Sequence, residues 1–334
     1  MQLQYKITKF DFNHAFLILI FLFSQSCSPK INQANFIILP DTQYYSEKYP
    51  QVLDSQISYI LKNAENIDLV IHEGDLTQNN NEEEWQVVRE DFFQLNNKIP
   101  YVLNVGNHDM GSAPGKFADT RNTTLFNQYF PYDTMSQLPG FAGAFAAGKL
   151  DNAYYLLETG NHKWLILTLE FGPRNKVLEW ANHVVSQHPD HIVIVNTHSY
   201  MYSDSTRQGE GDSWRAQAYG IGQDSGEDAV NDGEQIWQKL IRRHANIRFV
   251  FSGHVLNSGI GNLISVNDAG NLVYQFLANY QDGVKGVPKG NGYLRILNYD
   301  FKQNQLNIKT YSPYLEKYLE EDGHDFTINH LIIE

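Results

Sequence analysis

The residues best suited to chemistry stand together at Gly106-Asn107-His108-Asp109. An amide oxygen can ligate a metal, an imidazole can move a proton near neutral pH, and a carboxylate beside an imidazole can fix its tautomer and orientation. The apolar run 101–105 leads straight into them, and Gly106 breaks it, so these side chains are delivered at the end of a strand. Four more apolar, β-branched runs end in the same way. Residues 36–39 run into Pro40-Asp41-Thr42-Gln43, and residues 68–71 run through His72-Glu73 into Gly74-Asp75. Residues 191–195 run into Asn196-Thr197-His198, and residues 247–251 into Ser252-Gly253-His254. One polar turn after a strand is ordinary. Five that all deliver hard oxygen or imidazole nitrogen predict a metal site at the C-terminal rim of a sheet. Helical patterns at 52–64, from 82 onward, at 177–186 and at 234–244 alternate with these strands, which predicts βαβ units and an α/β fold.

The ordered set Asp41-Thr42-Gln43, Gly74-Asp75, Gly106-Asn107-His108-Asp109, His198 and Gly253-His254 resembles the calcineurin-like metallophosphoesterases over roughly residues 35–311. The resemblance implies a four-layer sandwich, two facing mixed β-sheets flanked by helices, with two divalent metal ions at the strand ends. It implies that Asp75 bridges both ions, that Asn107, His198 and His254 complete the second site, and that Asp41 and Gln43 belong to the first. A hydroxide held between the ions would attack phosphorus. His108 would not be a ligand; it would protonate or stabilise the leaving oxygen, with Asp109 orienting it. Two motifs depart from the family pattern. The first is usually Asp-x-His and is here Asp41-Thr42-Gln43; the last is usually Gly-His-x-His and is here Gly253-His254-Val255-Leu256. Both changes fall on the first site, which loses two imidazoles and gains at most one amide oxygen, with Asn257 as a candidate substitute. The ions are left open among manganese, iron, zinc, magnesium and calcium, with a weaker, harder-ligand first site expected.

At 334 residues, with 42% hydrophobic and 19% charged residues, the chain can bury a sizeable core. A net charge of −13 and the lack of a basic run argue against a nucleic-acid partner. Residues 1–26 read as a signal peptide: Lys6 and Lys9, an apolar run at 15–23 too short to span a bilayer, then Ser24-Gln25-Ser26 before Cys27. A cysteine at that place resembles a bacterial lipobox, which implies a lipid anchor and a place in the cell envelope (outer membrane, periplasmic or surface-facing). A plain cleaved signal is the other reading. As the sole cysteine, Cys27 forms no disulfide within the chain.

Residues 27–34 read as a tether and 35–334 as a single domain, with insertions at about 111–150 and 202–230, the first of them over the mouth of the site. Residues 44–50 read as an aromatic loop, and 272–277, 293–297 and 306–310 as strands of a second sheet. Arg121, Arg207 and Arg215 are candidate phosphate contacts, and Asn279-Tyr280-Gln281 is either a site edge or a turn; His72 and Glu73 are left out of the site. The expected function is metal-dependent hydrolysis of a phosphomonoester or phosphodiester outside the cytoplasm. The partners expected are a phosphorylated substrate and, through the anchor, the membrane. The second reading is a degenerate, non-catalytic metal-containing lipoprotein that binds a phosphorylated or glycan ligand.

Overall fold

The computed structural model describes residues 32–281 and 291–333. The expected signal peptide and Cys27 lie outside them, and Gln33 and Ala34 of the expected tether already belong to the first strand. In chain order the strands are β1 (Gln33–Leu39), β2 (Leu69–His72), β3 (Tyr101–Val102), β4 (Phe141–Ala144), β5 (Ala153–Thr159), β6 (His162–Leu169), β7 (Ile192–Thr197), β8 (Ile247–Ser252), β9 (Ile260–Val266), β10 (Leu272–Ala278), β11 (Leu294–Asp300), β12 (Gln305–Ser312), β13 (Lys317–Leu319) and β14 (Phe326–Asn329). The helices are α1 (Gln43–Lys48), α2 (Pro50–Lys62), α3 (Glu82–Phe92), α4 (Thr124–Tyr129), α5 (Tyr132–Met135), α6 (Asn175–Ser186) and α7 (Gly233–Lys239).

The strands form two seven-stranded sheets. The first runs β13-β12-β11-β1-β2-β3, with β14 beside β12; the second runs β4-β5-β6-β7-β8-β10-β9. Strands β1, β2 and β3 are parallel to one another, as are β6, β7, β8 and β10. Successive side chains of a strand point to opposite faces, and the core follows that alternation. Phe36, Ile38, Ile71, Ile194 and Phe251 fill the space between the sheets. Ile37, Leu39 and Val70 face outward onto α2 and α3, through Val52, Leu53, Ile57, Val88 and Phe92. Leu165, Val193 and Val195 face the other way onto α6 and α7, through Val177, Leu178, Ala181 and Trp237. Strands covered on both faces are apolar throughout, which is why these runs read as continuous. The result is the four-layer sandwich that the resemblance implied.

Several local expectations are corrected. Residues 44–50 are not a loop: α1 and the start of α2 occupy them, with Pro50 at the first turn, where its missing N–H costs nothing. The strands expected to form one second sheet are divided. Strand β10 lies beside β8, whereas β11 pairs antiparallel with β1 and β12 with β11. The donors therefore come from two sheets, not from the rim of one. The helix expected over 234–244 breaks at Leu240 into a short 3-10 turn. The segment 111–150 carries α4, α5 and the edge strand β4, and its Phe126 and Phe130 pack on Trp85 of α3 at ring separations of 5.8 and 6.3 Å. Among the described residues no helix is long and apolar enough to cross a membrane.

Candidate metal centre

Strands β1, β2 and β3 end beside β7 and β8, and the loops that follow them close a buried polar site. Asp75 stands at its middle. Gly74 (φ 101°) and Asp75 (φ 53°) both adopt left-handed backbone, a sharp turn that a non-glycine residue tolerates only at a cost. Asp75 Oδ1 accepts the His108 backbone N–H at 2.9 Å, and Oδ2 lies 3.1 Å from His198 Nε2. His198 turns its other nitrogen, Nδ1, to the Glu73 carbonyl at 2.9 Å. His254 sets Nε2 on the Trp214 carbonyl at 2.7 Å, which leaves Nδ1 free to ligate. The ligand atoms of Asp75, His198 and His254 all lie within 4.8 Å of one another. Among the described residues this is the one group of three histidines, cysteines or acids that converges in this way.

Asp41 borders the group. Its carboxylate accepts the His254 backbone N–H at 3.1 Å and Asn279 Nδ2 at 2.8 Å. A side chain at Gly253 would lie 2.1 Å from Asp41 Oδ1, so only glycine permits this approach. Gln43 Nε2 donates to Gln78 Oε1 at 2.8 Å and lies 3.4 Å from His108 Nε2. Asn107 Oδ1 and Gln43 Oε1 are buried without a partner in the protein. A buried amide oxygen left bare is costly, and a divalent cation would satisfy both. The donor chemistry agrees: two carboxylates, two amide oxygens and two imidazoles suit such an ion.

The charges fit as well. Burial pushes the Asp41 carboxyl up to about 8, against the pull of His198. Burial would also raise Asp75, but His198 and His108 outweigh it and hold that carboxyl well below the ordinary range. His198, which burial alone would lower, is held up at about 9 by Asp75 and Asp41. Burial, then His198, takes His254 down to about 3. Without a cation the site thus carries its negative charge on Asp75 and a proton on His198. A divalent ion held by Asp75 and His198 would take the place of that proton.

The His108 ring and the Asp109 carboxylate are held by different partners. His108 Nδ1 bonds to the Gln78 carbonyl at 2.7 Å, and its ring lies against Phe117 at 4.0 Å. The Asp109 carboxylate instead accepts the backbone N–H groups of Gly106 at 2.9 Å, Leu76 at 3.1 Å and Thr77 at 2.9 Å. It ties two loops together, and Gln78 takes the orienting role expected of it. Asn257 is exposed and donates to Ser203 Oγ at 3.0 Å, so it does not replace the missing ligand. The candidate arginines are engaged elsewhere: Arg121 with Glu170 and Asp224, Arg207 with Glu234, and Arg215 with Asp232. His72 is buried against Thr42 Oγ1 at 3.0 Å, and Glu73 is buried beside Asp41.

Four groups of the site escaped the sequence. The Gln78 and Trp214 carbonyls belong to the backbone and carry no signature of residue type. Phe171, whose ring lies 5.1 Å from His254, and Tyr219, 5.1 Å from Phe171, looked like ordinary aromatics. Asn279, read as site edge or turn, is the site edge.

The family profile described as calcineurin-like phosphoesterase matches residues 34–258. An uncharacterized protein of Bacillus subtilis (strain 168), YvnB, is 28% identical over 297 residues, covering 86% of this chain and 20% of its own. The chain thus spans about a fifth of that relative's length. The structure of purple acid phosphatase PPD1 from yellow lupin (Lupinus luteus) seeds superposes with a TM-score of 0.53 at 16% identity, covering 90% of this chain and 55% of the plant protein. That last likeness is one of fold.

Proposed function

We propose that this chain, which belongs to the calcineurin-like phosphoesterase family, hydrolyses a phosphate ester outside the cytoplasm. The observation that carries the reading is the convergence of Asp75, His198 and His254 from two different sheets, with the bare Asn107 Oδ1 buried alongside. These four would hold one cation, and Asp41, Gln43 and Asp75 a second with fewer imidazoles. Bound divalent cations would polarise the phosphoryl oxygens and make an attacking water more acidic. The chain's own part is then legible. His108 keeps Nδ1–H on the Gln78 carbonyl, which leaves Nε2, 3.4 Å from Gln43 Nε2, as the end that would exchange a proton with the leaving oxygen. Phe117 covers one face of the ring. Asp109 fixes the Leu76–Thr77 turn against Gly106, so His108 and Asp75 keep their separation. The basic start, apolar run and Ser-Gln-Ser-Cys27 support secretion and a lipid anchor.

The experiment uses the full chain. Recovery in the membrane fraction checks the anchor, and elemental analysis gives the metal bound per chain. Turnover of an aryl phosphate monoester and an aryl diester with manganese checks the activity. His108→Ala is expected to keep its metal and lose roughly a hundredfold to ten-thousandfold in kcat. Full activity in that variant would remove His108 from the chemistry, and no turnover in the wild type would favour a binding role.

A further inference from the structure

We infer that the hydroxyl of Tyr219 donates a hydrogen bond to a phosphoryl oxygen of the substrate. The inference rests on the phosphoesterase reading above. Tyr219 stands on a wall built behind the two imidazoles. Phe171 packs at 5.9 Å from the His198 ring and 5.1 Å from the His254 ring, and Tyr219 meets Phe171 edge-on at 5.1 Å and 86°. Its own ring centroid is 6.1 Å from that of His254.

The backbone that presents it is held on both sides. The Ile221 N–H reaches the Ala118 carbonyl at 3.1 Å, and Gly220 lies so close to Asp119 that a Cβ there would be 2.4 Å from its carbonyl oxygen. Five residues earlier, Trp214 at φ 60° gives its carbonyl to His254. The loop that fixes a metal ligand therefore also fixes the tyrosine.

The hydroxyl itself is the unused part. A tyrosine packed by its ring ordinarily finds a partner for its O–H. Among the described residues none hydrogen-bonds the Tyr219 hydroxyl, and the residue is only half-buried. Burial, and after it the negative charge of Asp75, push its ionisation up, so the hydroxyl keeps its proton as a donor. Arg121, Arg207 and Arg215 are all held in ion pairs. With these three engaged, neutral donors can serve a phosphoryl group at the site, and Tyr219 is one that the fold leaves open.

The test compares manganese-loaded wild type with Tyr219→Phe, which removes one oxygen and keeps the packing ring. Metal content and melting temperature are expected to stay unchanged. The dissociation constant for inorganic phosphate, measured by calorimetry, is expected to rise roughly 10- to 100-fold, with a similar loss in kcat/KM for an aryl phosphate. Equal phosphate affinity and equal kcat/KM in the two proteins would overturn the inference and leave the hydrolase reading standing. Loss of metal in the variant would also overturn it, by making the hydroxyl structural. A wild type without turnover whose phosphate affinity still falls in the variant would sink the hydrolase reading and uphold the Tyr219 contact.

Discussion

At the scale of single residues, Gln43 carries the most informative departure. Its amide stands where an imidazole is usual in the family: Nε2 donates to the side chain of Gln78, whose backbone carbonyl holds His108, and lies 3.4 Å from His108 Nε2, while Oε1 is bare and buried. Replacement by histidine should act on both. An imidazole is the softer, stronger donor for zinc, so Gln43→His is expected to raise zinc affinity at the first site roughly 10- to 100-fold, on the scale of other changes around metal sites. The same change removes the hydrogen bond to Gln78 and should lower kcat. Zinc retained per chain after dialysis checks the first effect; an unchanged content would mean that Gln43 faces no cation. Residue types of this kind were legible because each donor follows an apolar run, and Asp75, Asn107 and His254 also stand next to glycine. Asp109 shows where that legibility ends. Asn107–Asp109 is a 3-10 turn, in which consecutive side chains leave the axis about a third of a turn apart. Neighbours in sequence there diverge in space, so the residue after His108 cannot support its ring, and a backbone carbonyl from another loop does so instead.

At the scale of elements, helix α3 is what holds that carbonyl in place. Asn81 caps it by accepting the Glu84 N–H at 2.9 Å, and Glu84 reaches back to the N–H groups of Gln78 and Asn79 at 2.8 and 2.6 Å. An acidic first turn favoured by the helix dipole thus also fixes the loop that presents the Gln78 carbonyl. The same helix carries a pH-sensitive contact at its other end. Burial pushes the Asp91 carboxyl up to about 8, and Asp54 of α2, charged and hydrogen-bonded to it, adds to the rise. The folded state therefore holds a proton that the unfolded chain, with a pKa near 3.8, releases. Stability from this contact is complete below about pH 4 and is lost as pH climbs toward 8. Asp91→Asn is expected to flatten the fall in melting temperature between pH 5 and pH 8, by a few degrees at the upper end. Parallel melting curves at the two pH values in both proteins check it, and equal slopes would sink it. The sequence showed α2, α3 and α6 because their apolar residues recur on one face. It did not show sheet membership, since a run buried on both sides carries no mark of which strand pairs with it. The edge strands β4, β9, β13 and β14 were missed because they are short or half-exposed and lack a continuous apolar run.

At the scale of the whole molecule, the cations would join the two halves of the sandwich. Asp41, Asp75 and Asn107 follow strands of the first sheet, and His198 and His254 follow strands of the second. An ion shared among them exists only when the two sheets are packed, so its binding energy becomes folding energy. A ligand that binds only the folded state stabilises it by about 2.7 kcal/mol at a hundredfold excess over its dissociation constant. For a domain of this size each kcal/mol moves the melting temperature by about 2–4 °C. Chelation should therefore lower the transition by roughly 5–10 °C as a single cooperative shift, with both sheets responding together. Removing a donor from either sheet should abolish most of that shift: Asp75→Asn on one side and His254→Ala on the other are expected to melt close to the chelated wild type, with or without manganese. The tryptophan signal offers a check on cooperativity, because Trp85 reports on the helices of the first sheet and Trp237 on those of the second. Single-tryptophan versions with different midpoints, or a melting temperature indifferent to both manganese and chelator, would mean that the donors of the two sheets do not share an ion.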